Sequence, residues 1–228
     1  MKPDIRLLID IEPKESINYM KKYIDLSQDI IHDMPVHPYD DPVRLYQDKF
    51  LDKDKYVSYK LESGMHSGTH IDTPMHLINR EAYINEIPLD KFAGRGVLLD
   101  VRNESHISFK DAYSDLIRQD DIVLLYTGHS DKYGTEDYYT HQPVIDKALA
   151  NFFAKKSIKM LGMDLPSPDN YPFDIHKILF DKDILIIENL TNFSELLAIE
   201  NFDLIAFPLK IRAEASMVRV VAVISDLV

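Results

Sequence analysis

The chain has no cysteine among its 228 residues, and that absence removes several chemistries at once. No disulfide framework, thiolate metal site or cysteine nucleophile can be built, so any metal must be held by nitrogen and oxygen ligands. The lack fits a reducing compartment. Glycine is also scarce, at seven residues, which argues against a flexible or repetitive chain. No hydrophobic run approaches the length of a membrane span, and the charge-studded start Met-Lys-Pro-Asp-Ile-Arg contains no apolar core of a signal peptide. Basic residues are outnumbered, 26 Lys and Arg against 38 Asp and Glu, for a net charge of −12. Nucleic acid and an anionic membrane are polyanions and are poor partners for such a surface. The expectation is a cytoplasmic protein that binds neither.

The remaining composition, 45% hydrophobic and 28% charged, is that of a globular chain long enough for one sizeable core. Residues 1–22 are read as an N-terminal extension, with a short helix over 13–22, and residues 23–228 as one domain. Prolines at 35, 38 and 42 keep the following segment extended. Strands are predicted at 57–61, 96–101, 121–126, 158–163, 184–187, 204–207 and 218–224. Helical spacing marks 111–118, 143–156 with Pro143 in the first turn, and 193–199. Helices alternate with strands and strands outnumber them. This predicts an α/β fold with a mixed, curved sheet flanked by helices.

Three of the nine histidines fall within eleven residues, His66-Ser-Gly-Thr-His70-Ile-Asp72-Thr-Pro74-Met-His76. A lone histidine reads as a surface or hydrogen-bonded core residue. Three with an aspartate read as a nitrogen–oxygen ligand set. The offsets are all even, yet in a straight strand His66 and His70 would stand roughly 13 Å apart, too far to share an ion. A continuous helix is excluded by Pro74 and by β-branched Thr69, Ile71 and Thr73. A bend at Gly68, folding His66 back toward His70, satisfies both constraints. Met65, Ile71 and Met75 between the polar residues predict a site set into the core.

This stretch resembles the His-x-Gly-Thr-His-x-Asp-x-Pro-x-His signature of the cyclase family, which includes bacterial kynurenine formamidases (arylformamidases) and isatin hydrolases. Other segments resemble the family in order: Ile24-Asp-Leu-Ser27 with Met34-Pro-Val36, Tyr126-Thr-Gly128, Leu161-Gly-Met-Asp164-Leu-Pro-Ser167, Ile187-Glu188-Asn-Leu190, and Phe207-Pro-Leu-Lys210 with Arg219. The resemblance spans about residues 23–225 and implies a swivelling β/β/α-like single domain.

It also implies that His66, His70 and Asp72 hold metal, that His176 and Glu188 complete a second position, and that His76 is the general acid/base. By itself Glu188 could equally be a solvated charge at a strand end. The implied cofactor is one or two divalent ions, zinc first and manganese second. The implied activity is hydrolysis of a small amide, N-formylkynurenine or a related amide or cyclic imide-like ring, by metal-activated water. A homo-oligomer, dimer or tetramer, is implied as well. A metal-dependent lyase or cyclase, and a non-catalytic metal-stabilised binder, are the competing readings. Ser63 and Ser67 lack a nucleophile-elbow setting and are read as structural. The chain departs from the family in having no tryptophan: His37-Pro-Tyr39-Asp and Gly128-His129 stand where aryl-formamide members carry one, and Glu214-Ala-Ser-Met217 replaces an Asp-Gly-Ser-Pro. Tyr39, Tyr126 and His129 are the candidates to replace the missing ring.

Overall fold

The computed structural model describes residues 19–227. Thirteen strands run in chain order. The first seven are β1 (Tyr19–Asp25), β2 (Arg44–Lys49), β3 (Ser58–Glu62), β4 (His70–Asp72), β5 (Ala93–Asp100), β6 (His106–Ile107) and β7 (Ile122–Tyr126). They are followed by β8 (Val144–Ile145), β9 (Met160–Met163), β10 (Leu185–Glu188), β11 (Phe202–Ile205), β12 (Ala215–Met217) and β13 (Val221–Leu227). Nine form one sheet in the order β1-β13-β11-β5-β7-β9-β10-β4-β12, while β2–β3 and β6–β8 are separate pairs. The centre, β5-β7-β9-β10, is parallel, and both wings are antiparallel. The expected single-domain α/β architecture with a mixed sheet is the observed one.

The central strands are buried on both faces, which explains their unbroken apolar runs. In β7, Val123 and Leu125 enter one core while Ile122 and Leu124 enter the other. Strand β10 divides the same way, with Ile186 on one side and Leu185 and Ile187 on the other. Each fully buried aliphatic side chain contributes roughly 1.5–3 kcal/mol. The first core is covered by the helices Lys147–Lys156, through Leu149, Ala150 and Phe153, and Asp174–Phe180, through Leu179 and Phe180. The second is closed by β1, β11 and β13 with Phe92 and Phe193.

Several local expectations change. The helix expected over 13–22 lies largely outside the described residues, and its last four residues are instead β1, paired antiparallel with β13. The sheet thus begins at Tyr19, within the segment read as an extension. The helix expected from Pro143 starts only at Lys147, because Val144 and Ile145 join a ladder with β6 and the Asp146 carboxylate caps the helix by accepting from the Leu149 N–H at 2.8 Å. The helices at 111–118 and 193–199 shrink to Tyr113–Leu116 and a 3₁₀ turn, Phe193–Leu196. Strand β2 and the Asp174–Phe180 helix are additions to the expected set. Among the described residues no helix is long and apolar enough to cross a membrane.

Candidate active site

Parallel strands end together, and here the carboxyl ends of β7, β9 and β10 share one edge of the sheet, the place where α/β sheets gather ligands. Glu188 is the last residue of β10. Strand β4 runs antiparallel beside it in the register Ile186↔Asp72 and Glu188↔His70. That register, and nothing in the local sequence, sets His70 against Glu188.

His66 reaches the same point by the bend. Gly68 adopts φ +61°, a conformation that L side chains disfavour, and a Cβ there would lie 2.9 Å from both Ile30 Cδ1 and Met34 Cε. The turn leaves the His66 and His70 rings 5.0 Å apart. The Gly68 carbonyl accepts from His70 Nδ1–H at 2.8 Å and from Asn189 Nδ2–H at 2.9 Å. With Nδ1 committed to a carbonyl, His70 presents Nε2 to the cavity. Thr69 Oγ1 donates to the Asn189 carbonyl at 2.8 Å, tying the bend to the end of β10. Pro74 then opens a 3₁₀ turn, Pro74–His76, that returns His76 to within 4.2 Å of the His66 ring. Pro74 therefore redirects the chain as well as ending the strand.

All six residues singled out in the sequence border one cavity of about 390 Å³. His66 Nδ1 lies 2.9 Å and His70 Nε2 3.4 Å from Asp72 Oδ1, and His70 Nε2 is also 3.4 Å from Glu188 Oε2. On the other side of Glu188, Oε1 is 3.5 Å from His176 Nε2. Among the described residues, two groups of three have ligand atoms close enough for one ion: His66, Asp72 and His76, and His70, Asp72 and Glu188, with Asp72 in both. His70, Asp72, His176 and Glu188 are buried, so Glu188 is no solvated strand-end charge. His76 is the open member of the cluster.

Burial alone would force these carboxylates up and the imidazoles down. For Asp72 the neighbouring His70 and His66 overturn that pressure and hold the carboxyl well below its usual range. The His176 and His70 rings on either side of Glu188 likewise hold its carboxyl down against burial. Burial lowers His66, but Asp72, with Glu188 and Glu214, raises it to about 9. Burial also opposes His176, which Asp169 and Glu188 raise to about 9. Among the four histidines only His76 is displaced downward: desolvation by the cavity walls and the His66 charge outweigh the pull of Asp72 and Glu188.

A cation fits this donor set. His70 Nε2 and Asp72 Oδ1 are buried polar atoms without a hydrogen-bond partner, and the 2.9 Å approach of His66 to Asp72 is not aligned as one. Such orphaned atoms are costly unless something charged satisfies them.

Three contributors were missed in the sequence. Asp169 accepts from His176 Nδ1–H and the Ile175 N–H, both at 2.6 Å, orienting the imidazole so that Nε2 points at Glu188. Glu214 lies 3.4 Å from His66 Nε2. Asn189 holds the bend, and its Oδ1 accepts from the Tyr138 hydroxyl at 2.8 Å. Two of the three lie in segments singled out in the sequence, Glu214 in the departure Glu214-Ala-Ser-Met217 and Asn189 in Ile187-Glu188-Asn-Leu190, but without a role of their own. Among the replacements considered for tryptophan, Tyr39 borders the cavity but Tyr126 and His129 do not. Tyr126 packs on Phe193 and Arg102, and buried His129 donates Nε2–H to the Tyr138 carbonyl at 2.9 Å. The Thr127-Gly128 pair serves the framework: Asp164 accepts from both backbone N–H groups and from Thr127 Oγ1–H at 2.7–2.9 Å. Ser63 Oγ–H donates to the Gly64 carbonyl, and neither Ser63 nor Ser67 borders the cavity.

A family model, "Putative cyclase", matches residues 24–170, well over half of the chain. A kynurenine formamidase of Bacillus cereus is 30% identical over 207 residues, covering 88% of this chain and 96% of its own. An uncharacterized protein of Methanocaldococcus jannaschii is 31% identical over 204 residues, covering 88% and 98%. Among solved structures, isatin hydrolase A from Labrenzia aggregata superposes with a TM-score of 0.81 at 23% identity, covering 90% of this chain and 94% of its own. A "predicted metal-dependent hydrolase" from Bacillus stearothermophilus superposes with a TM-score of 0.74 at 24% identity, covering 90% and 98%.

Proposed function

We propose, for a chain that belongs to the cyclase family, that it is a metal-dependent hydrolase of a small amide, with an aryl formamide or a cyclic imide-like ring as substrate. The observation carrying this reading is the pair of orphaned buried atoms, His70 Nε2 and Asp72 Oδ1, beside Glu188 at the floor of an open cavity. His66, His70, Asp72, His176 and Glu188 would hold one or two divalent ions, zinc first and manganese second, with Asp72 shared. When bound, the metal supplies a water of lowered pKa and a positive charge against the amide oxygen.

The side chains divide the remaining work. Asp72 and Glu188, kept ionised by their histidine neighbours, balance the cationic charge in a poorly solvated setting. His70 and His176 are turned toward that charge by the Gly68 carbonyl and by Asp169. His76 is open, next to His66, and held below the ordinary imidazole value. At neutral pH its ring is therefore free to take a proton from the attacking water and return it to the departing nitrogen.

Metal analysis of the purified protein, with hydrolysis of formanilide in ¹⁸O-water, tests the reading. Formate carrying solvent oxygen is expected. Turnover without water consumption would indicate the lyase alternative, and no turnover in the metal-loaded protein a binding role. One observation favours a different part for His76: it shares a ligand-compatible group with His66 and Asp72. His76→Ala is expected to lose about 10²–10⁴-fold in kcat while retaining metal, the behaviour of a proton carrier. Loss of metal would make it a ligand.

Three broader expectations belong to the same proposal: one catalytic domain, read from sequence as 23–228 and carried back to Tyr19 by β1, a cytoplasmic location, and a homodimer or tetramer. The β2–β3 hairpin, which exposes Tyr56, Tyr59 and Leu61, is consistent with association between copies. Sedimentation velocity would determine the stoichiometry.

A further inference from the structure

The outer half of the cavity carries a charge pattern that bears on substrate choice. Its walls are aromatic. Tyr39 lies 5.4 Å from the His37 ring, Tyr139 meets that ring edge-on at 5.9 Å, and Tyr171 and Phe173 pair at 6.0 Å. Among the described residues lining the cavity there is no lysine or arginine. The exposed fixed charge at the rim is the carboxylate of Asp40.

Asp40 is not on a loose tail. Its backbone N–H donates to the His37 carbonyl at 2.9 Å, closing a tight turn with Pro38 as its second residue. The base of the loop is joined by the Asp33 N–H to the Val43 carbonyl at 2.9 Å, and the Tyr133 hydroxyl donates to the Pro35 carbonyl at 3.0 Å. Asp40 borders the cavity together with Tyr39 and Tyr139.

A substrate carrying its own carboxylate would meet Asp40 with no lysine or arginine lining the cavity to offset it, whereas a cationic arm would be drawn in. We propose that this rim selects an aryl amide whose ring substituent is neutral or cationic, and disfavours one bearing a carboxylate, with Asp40 as the specificity-determining residue. The inference rests on the hydrolase reading and narrows its substrate class.

The test compares three formanilides on the metal-loaded enzyme at pH 8. One carries an alkylammonium arm, one a methyl group and one a carboxylate arm. The kcat/KM for the ammonium compound should exceed that for the carboxylate compound by about tenfold at low salt, and the ratio should shrink as salt is added. Asp40→Asn should bring the ratio toward unity, and Asp40→Lys should invert it. Both changes fall at an exposed turn position and leave the Asp40 backbone bond in place. A preference for the carboxylate compound, or a ratio that neither substitution moves, would overturn the assignment while leaving the hydrolase intact. If none of the three is hydrolysed, the hydrolase reading itself fails and this inference falls with it.

Discussion

His70 and Glu188 stand opposite one another across the antiparallel pair β4–β10, with His70 Nε2 3.4 Å from Glu188 Oε2 and both side chains buried. Glu188 also reaches His176 through its other oxygen, at 3.5 Å. One carboxylate thus joins the sequence cluster to a helix about a hundred residues further along the chain.

Replacing that carboxylate isolates its charge from its volume. Glu188→Gln should reduce bound metal and lower kcat/KM for formanilide by about 100-fold or more, the scale of losing an electrostatic stabiliser in a dry site. Atomic absorption and steady-state kinetics on the same preparation check it. Wild-type metal content with near wild-type turnover would reduce Glu188 to a structural partner of the two histidines.

Asp169 touches His176 but not the shared carboxylate cluster, so its effect should pass through orientation. Asp169→Asn keeps the shape and removes the strong acceptor for Nδ1–H. Metal affinity should fall about 10–100-fold, as for other partners of ligating histidines. Competition with a fluorescent chelator would measure the change, and unchanged affinity would count against His176 as a ligand.

At the bend, Gly68→Ala places a Cβ in a left-handed conformation and against Ile30 and Met34. The conformational cost is about 1–2 kcal/mol. With the steric contact added, Tm should drop by roughly 4–8 °C in a chain of this size. Thermal melts of the metal-free protein would report it, and the same variant should bind metal less tightly because His66 is displaced from Asp72.

Acidity gives a further expectation. In the metal-free protein His66 and His176 titrate near 9, above the ordinary 6.5 of histidine. Their contribution to stability is complete below about 6.5 and is lost as pH rises through 9. Asp72 and Glu188 are shifted down, so their contribution is present above the usual carboxylate range and lost as pH falls below it. Metal must displace protons from the raised histidines, His66, His70 and His176. Apparent metal affinity should therefore climb between pH 6.5 and 9 while the stability of the metal-free protein declines. Titration calorimetry in buffers of differing ionisation enthalpy should find protons released at pH 7. No release would show the histidines already neutral.

Local sequence carried the central strands and the bend. Apolar runs such as Ile122–Leu125 can be buried on both faces of a sheet, and a short unbroken apolar run bounded by Asp121 and Thr127 leaves few other options. Pro74 and the β-branched neighbours excluded a helix through the histidine cluster, which left the glycine as the turning point. The start of the helix after Pro143 was less legible, because a short parallel ladder with β6 claimed Val144 and Ile145, and ladder partners forty residues away leave no periodic trace.

By itself the sequence determined that any metal site would use histidine and carboxylate, since no thiol exists, and that His66, His70 and Asp72 would approach one another through Gly68. These are consequences of composition and of steric rules that act over a few residues. His176 and Glu188 were named only through the family resemblance; their approach to the cluster is the work of tertiary structure. The β4–β10 register put Glu188 against His70, the Asp174–Phe180 helix delivered His176 with its nitrogen already turned by Asp169, and the loop at Asp40 set a negative charge at the cavity mouth. Those placements follow from strand pairing and helix packing across the whole chain; in the β4–β10 pair, a slip of one residue would turn His70 to the opposite face.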